Sequence, residues 1–98
     1  MLEVSKCLNE ARKWIEENGS KSWFVNVILD EGEDYLVCID SFDINAMDIP
    51  ILVINKWSEE IEPHQIIEKG FFEKINKAKV VFGELELEED EENGETKK

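Results

Sequence analysis

The stretch SWFVNVILDEGEDYLVCID, Ser22 to Asp40, holds two apolar runs joined by an acidic turn. Residues 22–29 and 35–40 are rich in β-branched and aromatic side chains, which favour β-strands. Between them four carboxylates surround Gly32, and glycine readily takes the positive φ of a short hairpin turn. The stretch therefore predicts an antiparallel β-hairpin with an acidic tip.

The first strand of this hairpin is apolar on both of its faces. Successive side chains of a strand point to opposite faces of the sheet. Strict alternation places Trp23, Val25, Val27 and Leu29 on one face, and Phe24, Asn26 and Ile28 on the other. We therefore expect both faces of the sheet to be covered over part of their length.

The segments on either side of the hairpin predict a helix and a further strand. Residues 4–17 carry apolar side chains at steps of three and four, the pattern of an amphipathic helix. Gly19 follows, and we expect it to form a left-handed C-terminal cap. Residues 49–55 (IPILVIN) predict an interior strand, because they are apolar and Pro50 suits the first positions of a strand.

The C-terminal half predicts a helix followed by a strand. Residues 58–78 contain Pro63, which suits a helix start, and then apolar residues at steps of four. Gly70 interrupts this pattern, so we expect one helix with a weak point or two short helices. Residues 79–88 predict a last strand with a bulge at Gly83.

The resulting order of helix, three strands, helix and strand defines a fold class. We expect an α+β single-domain sandwich over residues 1–88, with a mainly antiparallel four-stranded sheet covered by two or three helices. Residues 89–98 have no apolar side chain, so we expect a disordered acidic tail there.

Charge is unevenly distributed along the chain. Its 98 residues carry 24 acidic side chains against 11 lysines and arginines, a formal net charge of −13. A field of this sign repels phosphate backbones, so we expect no direct nucleic-acid binding. It favours a protein partner with a basic surface. Residues 69–79 are instead rich in lysine, which suggests a homo-oligomer in which this stretch meets acidic regions of another copy.

Two features bear on cellular location. No apolar run approaches the about 18 residues of a membrane-spanning helix, and the N-terminal residues mix charges into their apolar pattern. We therefore expect a cytoplasmic protein with no membrane contact. Cys7 and Cys38 lie among apolar neighbours and far apart in sequence, which indicates buried, reduced thiols.

Three polar residues, Asp40, Lys56 and Gln65, have notable places in the predicted order of elements. Asp40 ends the predicted second strand, Lys56 follows the third, and Gln65 lies in the predicted second helix. In this order of elements, over residues 4–88, they resemble the core of restriction-endonuclease-like nucleases. That family binds its catalytic metal with an acid near the end of the second strand and an acid-x-Lys pair on the third. Ile54 stands where the acid of that pair belongs, so the resemblance implies a degenerate relative without catalysis.

The stretch DSFDINAMD, residues 40–48, raises the question of a cation site. Asp40, Asp43 and Asp48 are hard oxygen ligands that suit Ca²⁺ or Mg²⁺, although their spacing is not that of an EF-hand. The alternative is a polar loop whose side chains hydrogen-bond their own backbone. The stretch also contains three large apolar side chains, so we expect it to pack against the body. They are Phe42, Ile44 and Met47.

Catalytic signatures are scarce, so we expect binding rather than catalysis. The single histidine has no Ser or Cys near it in sequence, and no glycine-rich phosphate loop occurs. The sequence favours an acidic, non-enzymatic protein-binding domain without a cofactor. Its candidate contact residues are Trp23 and Trp57 as aromatic anchors, with Asp30, Glu31, Glu33 and Asp34 as steering charges. The alternatives are a divalent-cation binding protein, and a DNA-mimic or degenerate nuclease-like inhibitor.

Overall fold

The computed structural model describes residues 1–65 and 71–83 of the chain. Its elements are α1 (Val4–Asn18), β1 (Trp23–Asp30), β2 (Asp34–Ser41), β3 (Ile51–Asn55), β4 (Ile61–His64), α2 (Phe71–Lys77) and β5 (Lys79–Phe82). The strands form one antiparallel sheet in the order β4-β3-β2-β1-β5. The α+β class is the predicted one, and the described part of the sheet has five strands rather than four.

The additional strand is β4, which lies where the sequence predicts a helix. Asn55 closes a tight turn after β3, because its Oδ1 accepts hydrogen bonds of 2.9 Å from the backbone N–H groups of both Trp57 and Ser58. The chain then returns along β3 as an edge strand. Pro63 fits such a strand because an edge position needs no outward N–H donor. Gln65 therefore comes directly after a strand, and the prediction that it lies in a helix is wrong.

The first strand departs from strict alternation. Val25 pairs with Ile39 and Val27 pairs with Cys38, so Asn26 is an extra residue in the ladder. This bulge moves Val25 to the face that carries Ile28, while Val27 and Leu29 stay on the other face. The predicted assignment of Val25 to the face of Val27 is therefore wrong.

Each face of the sheet packs against a different helix. On one face the buried core contains Cys7 and Ala11 of α1 together with Ile28, Val37, Leu52 and Ile54 of the sheet. On the other face the core contains Phe71 of α2 together with Val27, Leu29, Leu36 and Ile51. The expectation that both faces are covered is confirmed. Cys7 is fully buried and Cys38 is half-buried, and both thiols are free.

The hairpin tip and the last strand follow the sequence in part. Gly32 has a φ of 117°, as its place in the acidic turn predicts. The expected bulge in the last strand lies at Val81 rather than Gly83, because Phe82 pairs with Ile28 and Val80 with Leu29. The predicted continuation of this strand, the domain boundary at residue 88, the tail and the break at Gly70 lie outside the described residues. In the described residues, neither helix has the length and apolarity to cross a bilayer.

Candidate protein-binding surface

The connection between β2 and β3 exposes its large apolar side chains. Phe42 is 78% exposed, Ile44 95% and Met47 76%, so the prediction that this stretch packs against the body is wrong. The physical reason is that α1 and α2 already cover the two faces of the sheet. Residues 42–48, the apolar loop, are left at the end of the sheet in contact with solvent.

Serine side chains fix the start of the apolar loop to the residue that precedes β1. The Ser41 hydroxyl donates to the Ser22 hydroxyl at 2.9 Å, and Ser41 Oγ accepts from the backbone N–H of Asp43 at 3.0 Å. The backbone N–H of Phe42 donates to the carbonyl oxygen of Ser22 at 2.9 Å. The Phe42 ring then stacks on Phe24, with ring centroids 4.4 Å apart. The exposure of Phe42 is thus combined with a defined position.

A cleft beside this ring pair runs between the end of α1 and the start of β1. Its volume is about 690 Å³. Its apolar walls are Ile15, Trp23, Phe24, Val25 and Phe42, and its polar rim includes Arg12, Glu16 and Lys21. We call this cleft the aromatic groove. Together with the apolar loop it forms one continuous surface, because Phe42 belongs to both.

Gly19 shapes the groove by letting Trp23 approach the end of α1. A Cβ atom at Gly19 would lie 2.5 Å from Cε3 of Trp23, closer than two carbon atoms can stand. Its φ of −105° is an extended conformation, so the predicted left-handed cap is wrong. Glycine is needed here for space, and its N–H still caps the helix by donating to the carbonyl of Ile15 at 2.7 Å.

Charges of both signs surround this surface. Asp40, Asp43 and Asp48 lie on or beside the apolar loop, whereas Arg12 and Lys21 stand on the rim of the groove. In the described part of the chain neither Arg12 nor Lys21 forms an ion pair within 4.0 Å. The surface therefore has an apolar centre with an acidic loop on one side and, on the other, a rim where two cations stand with the single acid Glu16.

The predicted cation ligands follow the pattern of a polar loop. Asp40 Oδ1 accepts from the N–H of Ser41 at 2.7 Å, and Asp43 Oδ1 accepts from the N–H of Asn45 at 2.9 Å. Over residues 1–65 and 71–83, no three His, Cys, Asp or Glu side chains are grouped so as to hold a metal ion. The structure thus does not bring Asp40, Asp43 and Asp48 together as a ligand set, and cation binding there stays a prediction.

The four acids of the hairpin tip differ in their surroundings. Asp30 Oδ1 bonds to Nζ of Lys56 at 2.5 Å, and this hydrogen bond is the main cause that lowers the pKa of Asp30. Asp34 accepts from Asn55 Nδ2 at 3.2 Å and lies 3.8 Å from Nζ of Lys74. Half of the predicted steering charges are therefore engaged in internal contacts, which leaves Glu31 and Glu33 for that role.

The predicted contact residues do not form one surface. Trp23 pairs with Ser41 at one end of the hairpin, and Asp30 pairs with Tyr35 at the other. Seven residues of extended chain separate these ends by about 23 Å. Trp57 is 66% exposed and follows β3 at the end where Asn55 pairs with Asp34, so it lies near the acidic tip and far from Trp23.

The residues matched to the nuclease pattern are also kept apart. Asp40 pairs with Phe24, whereas Lys56 comes after Asn55, which pairs with Asp34. Asp40 and Asp34 are six positions apart on β2, or about 20 Å. The ammonium of Lys56 instead bonds to Asp30. The metal-binding geometry that the resemblance implies is therefore not formed by these residues.

Sequence reasoning missed the ring pair and the serines that place it. In a regular hairpin around Gly32, without a bulge, Trp23 and not Ser22 would pair with Phe42. The bulge at Asn26 shifts the register by one residue and brings Ser22 to that position. Comparison of the chain with protein-family models, with curated proteins and with solved structures finds no match.

Proposed function

We propose that this protein is a small acidic, non-enzymatic domain that binds another protein through the aromatic groove and the apolar loop. The observation that carries the proposal is the exposure of Phe42, Ile44 and Met47 beside a cleft with aromatic walls. Contiguous exposed apolar side chains on a folded protein mark interaction surfaces. Aromatic side chains near the centre of such a surface are frequent energetic anchors.

The polar groups of the groove favour a protein over a small ligand. Sites for small molecules bury a few polar groups that converge on the ligand. The polar lining residues Arg12, Glu16, Ser20 and Lys21 are all exposed at the rim, and the interior is apolar. This arrangement, an apolar centre inside a solvated polar border, is that of a protein–protein interface.

The charge of the domain supports a partner with basic residues. Asp43 and Asp48 belong to the apolar loop, Asp40 lies just before it, and the whole chain is strongly acidic. Opposite charges on the partner raise the rate of encounter and fix the register of docking. The same field disfavours nucleic-acid backbones, so the proposal includes no direct nucleic-acid binding.

The experiment is affinity capture with a matched apolar control. The double variant Ile44→Ser, Met47→Ser changes two exposed side chains of the loop, and Trp57→Ser changes an exposed side chain at the other end of the sheet. We expect the wild type and W57S to capture the same protein at 0.15 M salt. The amount of that protein captured by the double variant should be at least tenfold lower. Equal capture by the double variant would contradict the proposal.

A further inference from the structure

The apolar loop and the aromatic groove have complementary chemistry. The loop alternates apolar side chains with carboxylates, in the order Phe42, Asp43, Ile44, Met47 and Asp48. The groove has apolar walls, and its rim carries the cations Arg12 and Lys21 together with one acid, Glu16, so that the rim is positive on balance. An apolar side chain of such a loop that enters such a groove brings its neighbouring carboxylates towards Arg12 and Lys21 of the rim.

Within one molecule these two halves do not satisfy each other. Ile44 is 95% exposed and Met47 is 76% exposed, so neither occupies the groove of its own chain. In the described part of the chain Arg12 and Lys21 have no ion-pair partner, and Asp43 bonds to the backbone of its own loop. Both halves are therefore available to a second molecule.

We propose that the protein partner is a second copy of this chain, docked so that the apolar loop of each protomer enters the aromatic groove of the other. This inference rests on the proposed function, because it requires the same surface to bind protein. Since Phe42 belongs to both halves, loop and groove lie side by side on one surface. In a dimer with twofold symmetry the loop of each protomer enters the groove of the other, so every loop-to-groove contact occurs twice. Such isologous dimers are the commonest homo-oligomers.

Electrostatics favours this orientation over docking through the acidic hairpin tip. Two chains of charge −13 repel each other at long range, although about 0.15 M salt screens charges separated by more than about 8 Å. At short range Asp43 and Asp48 of one protomer meet Arg12 and Lys21 of the other. Contacts through the acidic hairpin tip place like charges together, so repulsion disfavours that alternative docking.

The test is a charge exchange followed by analytical ultracentrifugation in 0.15 M NaCl. We expect the wild type to change from monomer to dimer mass as concentration rises. The variant R12E/K21E makes the rim of the groove acidic, so that it repels the acidic loop of the other protomer. The variant D43K/D48K makes the loop basic, so that it is repelled by Arg12 and Lys21 of the other protomer. We expect each variant alone to stay monomeric, with dissociation constants raised at least tenfold. An equimolar mixture should recover the dimer mass, because both of its loop-to-groove contacts pair opposite charges.

Two controls carry the same changes in net charge at other exposed positions. K13E/K77E matches the first variant and E60K/E73K matches the second, and both should dimerise like the wild type. Far-ultraviolet circular dichroism verifies that every variant is folded. A wild type that stays monomeric to several hundred micromolar would overturn the inference, as would variants that dimerise unchanged or a mixture that stays monomeric. If the I44S/M47S variant still loses a captured protein in that case, the proposed function stands without the second copy.

Discussion

Nζ of Lys56 lies 2.5 Å from Oδ1 of Asp30, which joins the residue after β3 to the last residue of β1. The Lys56 side chain is 7% exposed and its ammonium stands 4.9 Å above the ring centre of Tyr35. The Tyr35 hydroxyl donates to the carbonyl of Leu2 at 2.9 Å, and the Leu2 N–H donates to the carbonyl of Lys56 at 2.8 Å. The one lysine between residues 22 and 68 therefore fixes three chain segments together.

The first prediction concerns the stability that depends on this ion pair. Asp30→Asn should lower the free energy of unfolding by about 3 kcal/mol, because it leaves a buried ammonium without its counter-charge. Lys56→Met should cost less, about 1 kcal/mol, because Asp30 keeps part of its hydration. The double variant should be about as stable as K56M. Urea unfolding of the four proteins checks the cycle, and a D30N loss below about 0.5 kcal/mol would show that the pair contributes little.

The second prediction concerns stability at alkaline pH. Burial raises the pKa of the Cys7 thiol from 9.0 to about 12, so the folded state holds this proton more tightly than the unfolded state. The resulting stability is fully present below pH 9 and is lost as pH rises from 9 towards 12. The loss approaches about 1.4 kcal/mol per pH unit from this group.

The variant Cys7→Ala removes this titration. Its free energy of unfolding should fall less steeply between pH 9 and 11 than that of the wild type. The control is Cys38→Ala, which keeps the titration of Cys7. Burial raises the pKa of Cys38 as well, so this control loses the part of the pH dependence that comes from Cys38 and keeps the part that comes from Cys7. Parallel curves for the wild type and C7A in this range would contradict the prediction.

The third prediction concerns the wall of the aromatic groove. Gly19→Ala should destabilise the protein by about 1–3 kcal/mol, because the new methyl group forces Trp23 away from α1. Glu17→Ala, at an exposed position of the same helix, serves as the control and should change stability by less than about 0.5 kcal/mol. If G19A unfolds at the same urea concentration as the wild type, the close contact of Trp23 with Gly19 is not a constraint.

The fourth prediction separates a specific cation site from charge screening. A site at Asp40, Asp43 and Asp48 stabilises the fold by mass action and saturates at a defined stoichiometry. Since two of these carboxylates bond to neighbouring backbone N–H groups, we expect CaCl₂ and MgCl₂ to raise the melting temperature no more than NaCl of equal ionic strength. A saturating rise that D43N/D48N abolishes would establish the cation site instead.

Some elements of the fold follow directly from sequence. The α1 helix shows its period over fifteen residues, and the hairpin combines β-branched strands with a glycine at the turn. Long periodic segments carry many consistent signals. By contrast β4 has four residues and includes Pro63, so its alternation is too short to outweigh the helix-like features around it. Only its pairing with β3 defines it as a strand.

The candidate site was harder to predict, because it depends on tertiary structure. Phe42, Ile44 and Met47 look like core residues in sequence, and they are exposed only because both faces of the sheet are already covered. The position of Phe42 over Phe24 depends on the bulge at Asn26, which shifts the register without a distinct local signature. The sequence predicts the carboxylates of residues 30–34 as steering charges, but in the structure Asp30 and Asp34 are engaged in internal contacts.

The most direct test of where this domain binds is an amide NMR comparison of the labelled protein alone and mixed with the protein that it captures. We predict that shifts and line broadening concentrate in residues 12–25 and 42–48, the aromatic groove and the apolar loop. Changes concentrated at residues 31–33 and Trp57, at the opposite end of the sheet, would contradict the proposal and move the binding surface to the acidic hairpin tip.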